Sequence, residues 1–187
     1  IGVINSLRLE KPKVFSSNNY NSAEDCYIDF KKYVLTLHGS VYCHEYDIGV
    51  IFGDYIKLFS KEPNKIIMGK ELYYCEYKDD LFITQNKNGT YRKRYKKDVK
   101  FINISNLLNY RPLSFIGDLL NVPKGITPKK FKNATCHFKD INKSDIDYCI
   151  QDTNICREYW TVLKGLTTEF KINMRLTIPS ISLKIFD

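Results

Sequence analysis

Apolar and polar positions recur in this chain with two different periods, and the period separates helices from strands. From Lys143 to about Phe170 the apolar residues Ile146, Cys149, Ile150, Ile155, Tyr159, Val162, Leu163 and Leu166 fall at helical spacing. That predicts one long amphipathic helix with those side chains inside and Ser144 as its cap. A second helix is predicted from Ala23 to about Leu37. Ser22 caps it, Glu24 and Asp25 sit in its first turn, Ile28, Tyr33, Val34 and Leu37 form its inner face, and Gly39 ends it. Two further helices are expected, from about Ile48 to Phe59 with Pro63 closing that unit, and from Pro112 to about Leu120.

Shorter apolar runs read as strands: Ile1 to Ile4, Lys13 to Phe15, a buried-type Ser40 to His44, Ile66 to Met68, Leu72 to Tyr77, Leu81 to Thr84, Tyr91 to Tyr95 and Val99 to Ile104. Turns are expected at Lys78-Asp79-Asp80 and at Asn86-Lys87-Asn88-Gly89. The second is the stronger signal, because Asn-Gly accepts the positive φ of a tight hairpin. Ser16 to Ser22 and the basic stretch Pro123 to Asn133 read as loops, and Thr177-Ile178-Pro179 opens a last apolar segment from Ser180 to Phe186. No linker, repeat or low-complexity tract divides the chain, so a single domain over 1–187 is expected, with strands and helices in α/β layers.

Composition narrows the class. A chain that is 43% hydrophobic and 14% aromatic can bury a core, which excludes disorder. The net charge of +8 suits a polyanion, either nucleic acid or an acidic membrane surface, and a basic protein with neither stays open. No apolar run reaches the roughly 18 residues that would span a bilayer. The chain begins at Ile1, which leaves a processed product, a fragment and a longer protein all open. Its six cysteines form no CxxC pair, so reduced thiols are expected and a zinc site is not. Asn88-Gly89-Thr90 and Asn133-Ala134-Thr135 match glycosylation sequons, which chance explains in a chain so rich in Asn. The heavy use of Lys, Asn, Ile, Tyr and Phe has the look of AT-rich coding, as in organelles, linear plasmids and some viruses.

Two constellations carry candidate chemistry. Tyr148 and Asp152 are four residues apart and share one face of the long helix. An aspartate there can hold a divalent metal while the phenol orients a water; it reads equally as an aspartate on an amphipathic helix. The second is the strand after Asn88-Gly89, where Arg92, Lys93, Arg94, Lys96 and Lys97 interleave with Tyr91 and Tyr95. Alternation puts Tyr91, Lys93 and Tyr95 on one face and Arg92, Arg94 and Lys96 on the other. Such a strand grips phosphates and stacks bases, or is a solvated hairpin. Trp160 is expected in the core, and His38, His44 and His137 carry no metal-binding pattern.

In their order, these segments resemble the 3′–5′ exonuclease domain of protein-primed family B DNA polymerases of the mitochondrial linear-plasmid type. Val41 to Phe52, with Glu45 and Asp47, resembles the second exonuclease motif; Tyr148-Cys149-Ile150-Gln151-Asp152 resembles the third; and Leu176 to Phe186 is similar to the passage leading out of that domain. The resemblance implies a ribonuclease H-like fold: a mixed sheet flanked by helices, with an inserted β-hairpin region and the first strand missing. It makes Asp47 and Asp152 relic metal ligands and Tyr148 the relic water-orienting group, with Ser105 and Lys124 as further nucleic-acid contacts. The family's first motif, Asp-x-Glu, occurs nowhere in the chain, and Glu45 stands where the family has Asn. Two-metal hydrolysis needs several carboxylates, so no cofactor is expected unless the site is active, in which case it is Mg²⁺.

The implied function is therefore a degenerate, non-catalytic exonuclease-like domain. It would serve as a nucleic-acid-binding or structural subunit of a large mitochondrial assembly, the ribosome being the natural candidate and RNA the partner. The alternative is a fragment of an active protein-primed DNA polymerase that proofreads single-stranded DNA with Mg²⁺. The localisation expected is mitochondrial, otherwise cytoplasmic.

Overall fold

The computed structural model describes residues 2–5, 11–43, 47, 64–68, 72–133, 135–174 and 178–186. It is a mixed α/β structure with two compact units, Ile1–Phe30 with Leu107–Asp187, and Lys31–Asn106. The expected helix at 48–59, His44, Glu45 and Pro63 lie outside the described residues.

In the discontinuous unit, strands β1 (Gly2–Ile4) and β2 (Lys13–Phe15) pair antiparallel. Helix α1 (Ala23–Thr36) follows, its residues from Lys31 on belonging to the other unit. Its cap is the expected one: Ser22 Oγ accepts from the Asp25 N–H at 3.1 Å and donates to the Asp25 carboxylate at 2.7 Å. Helices α2 (Leu113–Leu119), α3 (Lys129–Lys132), α4 (Lys143–Glu169) and α5 (Ile178–Phe186) complete the unit. Phe15, Cys26, Leu107, Leu108, Ile116, Ile155, Leu163 and Ile181 are its buried apolar residues. Helices α2 and α4 approach closely at Gly117. A Cβ there would stand 2.6 Å from the Val122 carbonyl oxygen and 3.1 Å from Ile155 Cδ1.

The long helix α4 matches its expected span, but two details differ. Asn142, not Ser144, caps it: the Asn142 side chain accepts from the Asp145 N–H at 3.1 Å, and the Asp145 carboxylate accepts from the Asn142 N–H at 2.8 Å. This reciprocal pair satisfies two donors that a helix start leaves open. Val162 and Leu166, expected inside, are exposed, whereas Asp145 and Thr167 are buried. The buried side runs from Asp145 through Ile155 and Leu163 to Thr167, so Val162 and Leu166 fall on its exposed flank.

The continuous unit is built on a four-stranded mixed sheet in the order β3-β6-β5-β4. Strands β4 (Lys65–Met68), β5 (Leu72–Gln85) and β6 (Tyr91–Asn103) are antiparallel, and β3 (Gly39–Cys43) runs parallel to β6. Strand β3 is not the buried-type strand its apolar residues suggest; it is an edge with Gly39 and Ser40 exposed. The expected turn at Lys78-Asp79-Asp80 is absent. Strand β5 runs through it, Lys78 opposite Asp98 and Asp79 opposite Lys97, with Asp80 at φ +55° left out of the ladder. Lys97 lies 3.6 Å from Asp79 and 3.5 Å from Asp80. Cross-strand charge pairing carries the strand through a polar triplet that reads locally as a turn. For the same reason Tyr91 to Tyr95 and Val99 to Ile104 are one strand, and Ile104 opens a 3₁₀ turn instead of ending it.

The Asn88-Gly89 hairpin forms as expected. Gly89 has φ +82°, Asn86 N–H donates to Thr90 O at 2.8 Å, and Gly89 N–H donates to Asn86 O at 2.9 Å. Among the described residues no helix is long and apolar enough to cross a membrane.

Candidate functional site

The hairpin outruns its sheet. Strand β3 covers β6 only from Val99 to Asn103, and β4 covers β5 only from Leu72 to Glu76. Beyond those points, among the described residues, β5 and β6 pair only with each other, down to Gln85 opposite Tyr91. The odd-numbered face is buried in the sheet body at Cys75, Tyr77, Val99 and Phe101. The same face runs on into the arm with Leu81 54%, Ile83 65% and Tyr91 74% exposed, and on the other face Phe82 is 38% exposed. Apolar side chains bare to water on a two-stranded ribbon gain nothing from folding.

The arm's cations split into two groups. Lys97 is held by Asp79 and Asp80, and Lys100 and Lys78 stand at 3.9 and 2.9 Å from Glu76. Arg92, Lys93, Arg94 and Lys96 are exposed, and none has an ion-pair partner among the described residues. Opposite Arg92, Lys93 and Arg94 stand Thr84, Ile83 and Phe82, so no carboxylate answers them across the strands. An open groove of about 680 Å³ runs along the arm, lined by His38, Phe82, Arg92, Lys93, Arg94, Lys96 and the carboxylate of Asp98 among others. Ser105 is buried just past the end of β6, its N–H donating to Asn103 Oδ1 at 3.0 Å.

In the other unit, α4 presents Asp145, Tyr148 and Asp152 along one face, as steps of three and four dictate. The basic stretch before it is laid on that face. It is not all loop, since Lys129–Lys132 makes one helical turn after Pro128. Lys124 Nζ donates to Tyr148 Oη at 2.8 Å and to Asp152 Oδ2 at 2.5 Å, and it sits 4.7 Å from the Tyr148 ring centroid. Thr127 Oγ1 is 3.2 Å from Tyr148 Oη. A turn away, Lys130 Nζ donates to Asp145 Oδ2 at 2.5 Å and to Asp140 O at 2.6 Å. Gln151 Nε2 donates to Pro123 O at 3.0 Å.

Protonation follows these contacts. Burial pulls the Lys124 ammonium down, but its hydrogen bonds to Asp152 and Tyr148 outweigh that and leave its pKa above the ordinary lysine value. Burial pushes Asp145 up, but the Asn142 N–H and Lys130 outweigh it and hold the carboxyl below its usual range.

Tyr148 and Asp152 are thus brought together as the sequence suggests, around a lysine that the sequence offers only as a nucleic-acid contact. Asp47 is an exposed helical residue and belongs to the other unit. Asp152 Oδ1 is buried without a hydrogen-bond partner, while Oδ2 is taken by Lys124. One open oxygen falls short of the several that Mg²⁺ ligation requires, and among the described residues no three His, Cys, Asp or Glu side chains cluster as a metal would need. The described residues do not fit a two-metal centre. The Lys130–Asp145 pair has no signal in spacing; the Asn142-x-x-Asp145 cap does, in the sequence pattern of a capping box.

Comparison with family models, with curated proteins and with solved structures returns no match.

Proposed function

We propose that this chain is a non-catalytic, nucleic-acid-binding module, an exonuclease-like domain of ribonuclease H-like descent turned to service as a subunit of a larger mitochondrial assembly. One observation carries the binding: Arg92, Lys93, Arg94 and Lys96 are exposed on the arm and form no ion pair among the described residues, and Arg92, Lys93 and Arg94 have no carboxylate opposite them in the ladder. A phosphate backbone supplies the missing charge, and Tyr91 supplies a face on which a base can stack.

The test is fluorescence anisotropy of labelled nucleic acids against the purified chain over a salt series. Wild type is expected to bind with a steep salt slope. The variant with Gln at all four cation positions should lose about 3 units of that slope, close to one per phosphate contact. Equal binding by that variant, or no wild-type binding at low salt, would sink the proposal.

A second reading, a proofreading fragment acting on single-stranded DNA, rests on Tyr148 and Asp152 sharing one face of α4, and it needs a metal to displace the Lys124 ammonium that now holds both. It requires Mg²⁺-dependent shortening of a 3′-labelled strand that Asp152→Ala abolishes. Without such digestion by wild type, that reading is dead.

A further inference from the structure

We infer that the β5–β6 arm enters the major groove of B-form duplex DNA, with phosphates on both of its sides. This rests on the nucleic-acid reading above and narrows its ligand to a double helix. Four observations bear on it.

Among the described residues no strand pairs with either edge of the arm, since β3 and β4 stop short of it. Its cations take both strand parities: by alternation Lys93 falls on one face and Arg92 and Arg94 on the other, and all three border the open groove. A strip that lays one face on a single strand has no use for a cation on its back. A strip standing between two phosphate walls uses both. Apolar side chains are likewise exposed on both faces, Ile83 on one and Phe82 on the other. In a groove they meet base edges and thymine methyls rather than water.

Dimensions agree. Sheets stack about 10 Å apart, which is the thickness of one sheet with its side chains. The major groove of B-DNA is about 12 Å wide and admits a two-stranded ribbon. The A-form major groove is too narrow for side chains to read, and its minor groove is wide and shallow. From Leu81 to Gln85 the arm extends roughly 17 Å, about half a helical turn of groove. Its tip carries Lys87, exposed, to meet the backbone where the groove ends.

The experiment uses the whole chain and four probes: a DNA duplex of about two helical turns, the RNA duplex of the same sequence, and one single strand of each. Two variants separate the faces, Lys93→Gln and the pair Arg92→Gln with Arg94→Gln. Thermal melting by circular dichroism checks that both remain folded. DNA duplex is expected to bind tightest. On it the first variant should lower the salt slope by about 1 and the second by about 2.

If only one variant changes the slope, the arm lies on its ligand by one face and the inference is overturned, though nucleic-acid binding stands. Equal or tighter binding of the RNA duplex or of either single strand overturns it in the same way. If wild type binds none of the four, the broader reading fails and this one with it.

Discussion

Replacing Lys124 by Met tests whether the Tyr148–Asp152 pair is held by an internal cation. Methionine keeps most of the apolar stem over the Tyr148 ring and removes the ammonium. Lost are a hydrogen bond to Asp152 at 2.5 Å, another to Tyr148 at 2.8 Å, and the contact over the ring. Hydrogen bonds to a charged group are worth about 1.5–3 kcal/mol each when buried. The Lys124 and Asp152 side chains are 21% and 25% exposed, so water replaces part of this. Asp152 Oδ1 already lacks a partner, which makes the remaining carboxylate harder to leave alone. A loss of about 2 kcal/mol follows. Asp152→Asn should cost somewhat less, because the amide keeps the shape and relieves the charge. In urea denaturation the double variant should show a coupling of about 1 kcal/mol. The pH dependence carries a sign. A lysine whose folded pKa lies above its unfolded value of about 10.4 contributes fully below that value and loses its contribution as pH rises through the folded pKa. Wild type should therefore lose stability at alkaline pH, and Lys124→Met should lose less. Coupling below about 0.3 kcal/mol, with identical alkaline limbs, would refute the reasoning.

Asp145→Ala removes the side-chain half of the capping box and leaves Lys130 without its carboxylate; about 3 kcal/mol should disappear, seen as a fall in Tm of roughly 9 °C by circular dichroism. Asp145→Asn should keep the cap and lose less. Because the Asp145 carboxyl is held below its unfolded value of about 3.9, its contribution is present above that pH and lost as pH falls through the folded pKa. Acid titration of wild type against Asp145→Asn should show that limb flattened in the variant. Gly117→Ala should cost about 1–3 kcal/mol by overpacking, since the new methyl meets backbone at Val122 that cannot swing away; a neutral result in the same denaturation assay would contradict the close approach of the Val122 turn to Gly117.

Where local chemistry decides, the chain is legible. Ser22, the Asn88-Gly89 turn and the apolar period from Lys143 to Phe170 each specify their element without help from elsewhere. Where distant pairing decides, local reading fails. Lys78-Asp79-Asp80 looks like a turn until Lys97 is seen between the two aspartates. Val162 and Leu166 fit the helical period, but burial depends on what the helix lies against. The candidate site divides in the same way. Spacing alone puts Tyr148 and Asp152 on one face; that Lys124 closes on both is a contact over a separation no motif records.

The proposed binding arm and a merely solvated hairpin differ in what their charges do for the fold. On α4 each aspartate facing the basic stretch has its lysine, Asp152 with Lys124 and Asp145 with Lys130. On the even face of the arm Arg92, Arg94 and Lys96 follow one another at alternate positions, about 7 Å apart. Two unit charges at that distance in water repel by roughly 0.6 kcal/mol, and salt reduces this by about half. Arg94 faces two such neighbours, and its cross-strand partner is Phe82. Arg94→Glu turns both repulsions into attractions. It should stabilise the unliganded chain by about 1 kcal/mol at physiological salt, while weakening its hold on DNA by more than Arg94→Gln does. A residue whose replacement improves the fold and impairs binding is kept for its ligand. Were Arg94→Glu instead to destabilise the chain by a similar amount, the cations would belong to the fold, and the arm would be a solvated ribbon after all.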